Sequence, residues 1–289
     1  MKGSAAVSIM ILLLTSLALV SMEGSQMPTQ VHAAPTPGRF YRASTELWIP
    51  WYDFESSDVI WESIRVTNPT GSGAQVQIFF AGSSIDLVFV AAGQGVERVY
   101  KNRNIGPVKI VSNVTVIASR YTIGHDDFQE FVALPKEAAS CIQYFPWYDG
   151  LHPFEEEFLF LNPGSTSIDL TVSYGSIGFS PIDTFSVGGG LVVRRNYRDG
   201  IAPDIGQIVS GQVKITSAQG TIGRFFVTRR TKMALSTWGG FKGFCESPAV
   251  PDEGTLTNGW TYASTQQFFG YYYNDATSVK EAARDLVCV

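Results

Sequence analysis

The sequence predicts an all-β protein: two tandem antiparallel β-sandwich modules followed by a small Gly- and aromatic-rich tail that ends in a helix. Three observations carry this. Apolar residues recur with period two through most of the chain, the pattern of half-buried strands. Gly 28, Phe 19 and Tyr 12 lean the composition toward strands and turns. A set of short blocks recurs once, in the same order, at a spacing near 95 residues.

The first residues read as a secretory leader. Lys2 supplies the positive end, and Ala5 through Val20 is an apolar run shorter than a bilayer span. Val31-His32-Ala33 has the small-residue pattern of a cleavage site, with a site nearer Gly24 or an uncleaved N-terminal anchor as the alternatives, and residues 1–33 are assigned as a signal peptide and 34–46 as a linker. Beyond the leader no stretch approaches membrane-spanning length, and the expected location is secreted, extracellular or in the cell envelope.

Two copies of one block follow, at 47–135 and 141–235. Pro50-Trp51-Tyr52-Asp53 returns as Pro146-Trp147-Tyr148-Asp149, and Asn68-Pro69 returns as Asn162-Pro163. Gly93-Gln94-Gly95 matches Gly188-Gly189-Gly190. Gly106 to Ser112 matches Gly211 to Ser217, with the later drift assigned to a longer loop around Asp199 to Gly206. In the first copy Ile64 and Val66, then Val76, Ile78 and Phe80, then Val108 with Ile110 and the run Val114 through Tyr121 mark strands. Ile168, Leu170, Val172 and Tyr174, then Val213 and Ile215, do so in the second. Turn residues fall between them at Asn68 to Gly73 and Asn162 to Ser165. This rhythm and size suit an immunoglobulin- or fibronectin-like sandwich. The tail, 236–289, breaks the pattern; Ser278 with Glu281 forms a capping box before Val279, Ala282, Ala283 and Leu286 on one apolar side.

Composition excludes some partners. With 26 acids against 21 bases the chain has no electrostatic footprint for nucleic acid. Two basic groups, Arg194, Arg195 and Arg198, then Arg224, Arg229, Arg230 and Lys232, read as outward residues balanced by nearby acids, the alternative being a face for anionic wall polymer. Cys141, Cys245 and Cys288 leave two readings open. A Cys141–Cys245 disulfide would contribute about 4–5 kcal/mol in the loop-entropy treatment; otherwise all three are buried thiols. No spacing indicates zinc or a cofactor.

The Pro-Trp-Tyr-Asp block is the leading site candidate. Adjacent strand residues face opposite sides, so one ring of each pair enters the core and the other lies on the surface. The structural reading puts Trp in the core and Asp in a turn. The binding reading makes Trp51, Tyr52 and Asp53, with Trp147, Tyr148 and Asp149, a platform for sugar rings. No nucleophile elbow, metal-binding helix or phosphate loop occurs, so no catalytic residue is assigned. Asp149 with Glu155 or Glu157 is the carboxylate pair to test for glycan hydrolysis. Asp53 and Asp58 offer oxygen ligands to Ca²⁺ without a calcium-loop spacing.

With Pro50–Asp53, the Asn-Pro turns, the glycine turn and Gly106-Pro107-Val108-Lys109-Ile110-Val111-Ser112 followed by Val116-Ile117-Ala118-Ser119 assembled, the chain resembles a group of uncharacterised bacterial secreted repeats. The resemblance runs over about Leu47 to Lys232. The second copy departs from it at Gly211-Gln212 and at Gly223-Arg224. It implies an envelope setting and no chemistry. The expected function is therefore a non-enzymatic structural or adhesive surface protein, with cell-wall polysaccharide or other envelope proteins as partners. A carbohydrate-binding module and a glycan hydrolase are the alternatives.

Overall fold

A computed structural model describes residues 43–251 apart from 55–58, 125–127, 150–153, 176–177, 198–209 and 235–241. The chain is nearly all β. Ten strands come first: β1 (Ser44–Ile49), β2 (Tyr52–Asp53), β3 (Val59–Thr67), β4 (Ala74–Phe80), β5 (Ser83–Val90), β6 (Gly95–Arg98), β7 (Asn104–Ile105), β8 (Val108–Gly124), β9 (Phe128–Val132) and β10 (Leu134–Pro135). After a 3-10 turn at Lys136–Ala138 come β11 (Ile142–Asp149), β12 (Phe154–Leu161), β13 (Ile168–Tyr174), β14 (Ser180–Val187), β15 (Val192–Arg195), β16 (Ser210–Ser217), β17 (Phe226–Ala234), β18 (Lys242–Pro248) and β19 (Val250–Pro251).

Among the described residues every strand pair is antiparallel, and the two halves pair alike. In the first half β10, β1, the front of β8, β4 and β5 lie side by side, and β6, β3, the back of β8 and β9 form a second array. In the second half the orders are β19-β11-β16-β13-β14 and β15-β12-β17-β18. The single strand β8, 17 residues long, does in the first half what β16 and β17 do in the second, where a 3-10 turn at Gly220–Ile222 separates them. The short pair β2–β7 stands apart.

Alternation explains which residues go inside. In β4 Ala74, Val76, Ile78 and Phe80 are buried while Gln75 is exposed and Gln77 lies between. Buried apolar side chains gather in two clusters. One joins Ile49, Tyr52, Ile64, Val76, Ile78 and Ile110; the other joins Phe145, Tyr148, Phe158, Leu170, Val172 and Ile215. Leu161 and Phe226, from the second half, belong to the first cluster and press against the first half.

Some expected boundaries move. Residues 242–251, assigned to the tail, are β18 and β19, which pair with β17 and β11 and complete the second half's sheets. The bridge Ser140↔Phe225 is the counterpart of Ser44↔Val116, so Phe225, and not Thr221, stands where Val116 does. The departure at Gly223-Arg224 is thus a four-residue insertion in the second copy. Likewise Gly93 matches Gly190, each at φ 68° and each donating its N–H to the asparagine carbonyl of its own half. The expected terminal helix from Ser278 and the leader lie outside the described residues.

The Asn-Pro turns hold as structural devices. Buried Asn68 donates its side-chain amide to the carbonyls of Ser72 (2.7 Å) and Val90 (3.0 Å) and accepts from the Thr70 N–H at 3.0 Å. Asn162 repeats this with Thr166 (2.8 Å), Val187 (2.9 Å) and Gly164 (2.9 Å). Replacing Asn68 by alanine leaves buried carbonyls without donors and is expected to cost about 2–3 kcal/mol in urea unfolding. A loss below about 0.5 kcal/mol contradicts this role.

Candidate functional site

The two Pro-Trp-Tyr-Asp corners turn the same way, with the tyrosine inside and the tryptophan outside. Tyr52 and Tyr148 are fully buried. The Tyr52 hydroxyl donates to the Glu62 carbonyl at 2.8 Å and accepts the Tyr100 N–H at 3.0 Å; Tyr148 does the same with Glu156 at 2.9 Å and Tyr197 at 3.1 Å. Tyr100 and Tyr197 in turn donate to Asp86 and Asp183, each at 2.9 Å. Burial pushes the phenols of Tyr52, Tyr100 and Tyr197 far above their ordinary range. The structural expectation of Trp in the core is reversed. Tyrosine's hydroxyl finds two backbone partners at depth, which the larger indole has no equivalent way to meet. The same burial removes Tyr52 and Tyr148 from any sugar platform.

The tryptophans differ between the corners. Trp51 is half-buried, donates its indole N–H to Asn104 Oδ1 at 2.7 Å, and lies under the Arg194 guanidinium, 4.7 Å from its ring centroid. Trp147 is 54% exposed. Asp53 is buried, and its carboxylate accepts from Arg230 Nη1 at 2.9 Å, so neither a sugar nor Ca²⁺ can reach it. Asp149 pairs through its backbone with Ser210. The side chains of Asp149 and Glu155 and all of Asp58 fall outside the described residues.

Arg230 is part of a buried ionic junction between the halves. From the first half come Asp53 (β2), Glu62 (β3) and Arg120 (β8); from the second come Arg230 (β17) and Glu246 (β18). All five are buried. Arg120 Nη2 lies 2.9 Å from Glu246 Oε2, Arg230 Nη2 3.0 Å from the same oxygen, and Arg120 Nε 3.2 Å from Glu62 Oε1. Arg120 Nη1 also donates to the Trp51 carbonyl at 2.6 Å. Hydroxyls complete the shell: Thr122 donates to Glu62 at 2.9 Å and Thr228 to Glu246 at 2.7 Å. The Asp53 N–H donates to Glu62 Oε2, and Gln129 Nε2 donates to the Glu246 carbonyl at 2.7 Å.

Electrostatics divide the two glutamates. Burial alone raises both. At Glu246 the pull of Arg120 and Arg230, with hydrogen bonds from Thr228 and Arg120, overrides burial and holds the carboxyl down at about 2. At Glu62 burial wins over Arg120, Thr122 and the Asp53 N–H, and the carboxyl sits above its usual range. Burial lowers Arg230, but Glu246 and Asp53 more than reverse it.

Strand register identifies a second, partial set of the same residues. Thr231 donates to Glu156 Oε1 at 2.9 Å as Thr122 does to Glu62, and Arg229 Nη1 donates to the Trp147 carbonyl as Arg120 does to that of Trp51. Arg229 Nη1 is 3.8 Å from Glu156. Sequence comparison matched the corners but not these partners, because the insertion hides the alignment of Arg120 with Arg229. A Glu six residues before each Asn-Pro, at Glu62 and Glu156, was the available signal.

Other candidates resolve into local pairs. Glu157 is held by Arg194 through two contacts of 2.8 Å, Arg195 pairs with Asp183 at 3.3 Å, and Arg224 donates to the Ala139 carbonyl at 2.9 Å. Neither reading of the cysteines holds: the Cys141–Cys245 bridge is not formed, and Cys245 is not a thiol. Cys141 carries a thiol, whereas Cys245 is in a disulfide whose partner lies outside the described residues. Geometry gives the reason. Ser140 is bridged to Phe225 while Cys245 stands opposite Thr231, about 20 Å along the strand, against the roughly 4–7 Å that a disulfide spans. Among the described residues no helix is long and apolar enough to cross a membrane, and no group of three or more His, Cys, Asp or Glu could hold a metal ion. No family model matches the chain, and no curated protein matches it.

Glu246→Ala would leave two buried guanidiniums without their shared carboxylate, and is expected to destabilise by about 3–5 kcal/mol. A matched Thr228→Val change is expected to cost about 1 kcal/mol, both read by urea unfolding near neutral pH. Because the folded value of Glu246 is depressed, its stabilisation is complete above its ordinary value of 4.5 and is lost as pH falls toward about 2. Acid titration of Glu246→Gln against the parent checks this, and equal acid sensitivity in both contradicts it.

Proposed function

We propose that the chain is an exported structural protein of the cell surface or envelope: two β-sandwich modules of one type, joined into a rigid spacer. The observation that carries this is the buried ionic junction, whose five side chains come from both modules and whose hydrogen bonds fix direction as well as distance. Leu161 and Phe226 add apolar contact beside it. The leader supports export, and the disulfide at Cys245 suits an oxidising compartment. The role is mechanical, and no chemistry is assigned to any residue.

Backbone ¹⁵N relaxation of the mature chain tests the reading. Both modules are expected to share one rotational correlation time, and Arg230→Ala is expected to separate them into two. Independent tumbling in the unaltered chain overturns the spacer.

A glycan-binding role is the second reading, supported by the exposed ring of Trp147. It predicts saturable quenching of tryptophan fluorescence by one soluble polysaccharide or peptidoglycan fragment. Trp147→Ala should abolish the quenching and leave the melting temperature within about 1 °C, since exposed substitutions cost little. No quenching across the panel removes this reading. The hydrolase reading has the weakest support, because Glu157 is occupied by Arg194.

A further inference from the structure

The charges of the junction do not balance. Among the described residues three carboxylates, Asp53, Glu62 and Glu246, meet two guanidiniums, Arg120 and Arg230, with no exposed surface at Glu62 or Arg120. With all five ionised, one net negative charge sits where no solvent reaches it, and a charge so placed is costly unless neutralised.

The contacts say which carboxylate is least compensated. Glu246 receives Arg120, Arg230 and the Thr228 hydroxyl; Asp53 receives Arg230 Nη1. Glu62, on β3, faces Tyr52 and Asp53 on β2 and Arg120 and Thr122 on β8, feels the charge of Arg230 on β17, and shares Arg120 with Glu246 on β18. Its nearest guanidinium atom, Arg120 Nε at 3.2 Å, makes no hydrogen bond. The Asp53 N–H occupies Oε2, which leaves Oε1 facing the Thr122 hydroxyl at 2.9 Å. A hydroxyl both donates and accepts, so the same separation serves a carboxylic acid that donates to Thr122 Oγ1.

We propose that the junction holds one proton, on Glu62 Oε1, and that losing it as pH rises loosens the second module from the first. The proton leaves to solvent as water enters, and no other covalent bond changes. Burial raises the Glu62 carboxyl in the direction this requires. The sign follows from linkage. A carboxyl raised on folding makes the folded state bind more protons than the unfolded one. Its stabilisation is therefore whole below the ordinary value of 4.5 and declines as pH climbs from there to the folded value. The inference rests on reading the halves as rigidly joined modules. Two rotational correlation times would remove that reading, whereas an insensitivity to pH would remove only the proton.

The experiment is urea unfolding of the full chain from pH 4 to 9, with hydrogen–deuterium exchange over 226–248 corrected for intrinsic rates. For the parent, the unfolding equilibrium is expected to shift by up to tenfold per pH unit above about 4.5, with 226–248 losing protection over the same range. Glu62→Gln, a permanent mimic of the protonated acid, is expected to flatten both profiles and keep 226–248 protected at pH 9. Asp53→Asn, which balances the charges without a proton, is expected to flatten the profile even though it weakens the Arg230 contact. A flat parent profile overturns the proposal, as does a Glu62→Gln profile as steep as the parent's. Should Glu62→Gln fail to fold, Asp53→Asn decides alone, and an unchanged slope overturns it.

Discussion

Two positively charged side chains with no access to water set the terms for this molecule. Arg120 and Arg230 can stay buried only while Glu62, Asp53 and Glu246 face them, and those acids arrive from three separate strands of both halves. Apolar contact from Leu161 and Phe226 would hold the halves together over a range of angles. Guanidinium forks and carboxylates are directional, so they select one angle from that range. The neighbouring hydroxyls of Thr122 and Thr228 have the same origin: once a carboxylate is buried, its remaining lone pairs must be met.

The corner that carries Asp53 serves two levels of structure at once. Its tyrosine holds the corner to its own half, by donating to one strand's carbonyl and accepting an N–H from beyond the next turn. Its tryptophan and aspartate look outward, to Arg194 and Arg230 of the other half. In the second half the inward task is kept intact through Tyr148, while Trp147 meets solvent. One four-residue block thus separates a task repeated in both halves from one performed once.

Sequence reasoning recovered what depends on local pattern. Alternation in Ala74 to Phe80 and Ile168 to Tyr174 marks strands because each buried face repeats every second residue. Asn68 and Asn162 mark turns because their side chains bond within a few positions or to the next strand. It failed where the cause is distant. Alternation places Trp51 and Tyr52 on opposite faces but does not say which face is the core; the partners at Glu62 and Tyr100 decide that. Arg120 and Arg230 sit in strands whose polar residues normally point to water, and nothing local shows that Glu246, far along the chain, covers both. The insertion between β16 and β17 also shifted the comparison by four places, which concealed that Arg229 stands where Arg120 does.

The continuous β8 sets the two halves apart in a different respect. Its front is bonded to β1 and β4 and its back to β3 and β9, so both sheet arrays of the first half share one covalent backbone. Under tension the arrays cannot slide past each other without bending that strand or breaking a ladder along it. In the second half β16 and β17 are parted by a 3-10 turn, tied at its two ends by the Ala218 N–H to the Asp169 carbonyl and the Phe225 N–H to the Ser140 carbonyl. The link between the two arrays is therefore a strand held by ladders on both sides in the first half and a turn segment, 218–225, pinned only at its ends in the second.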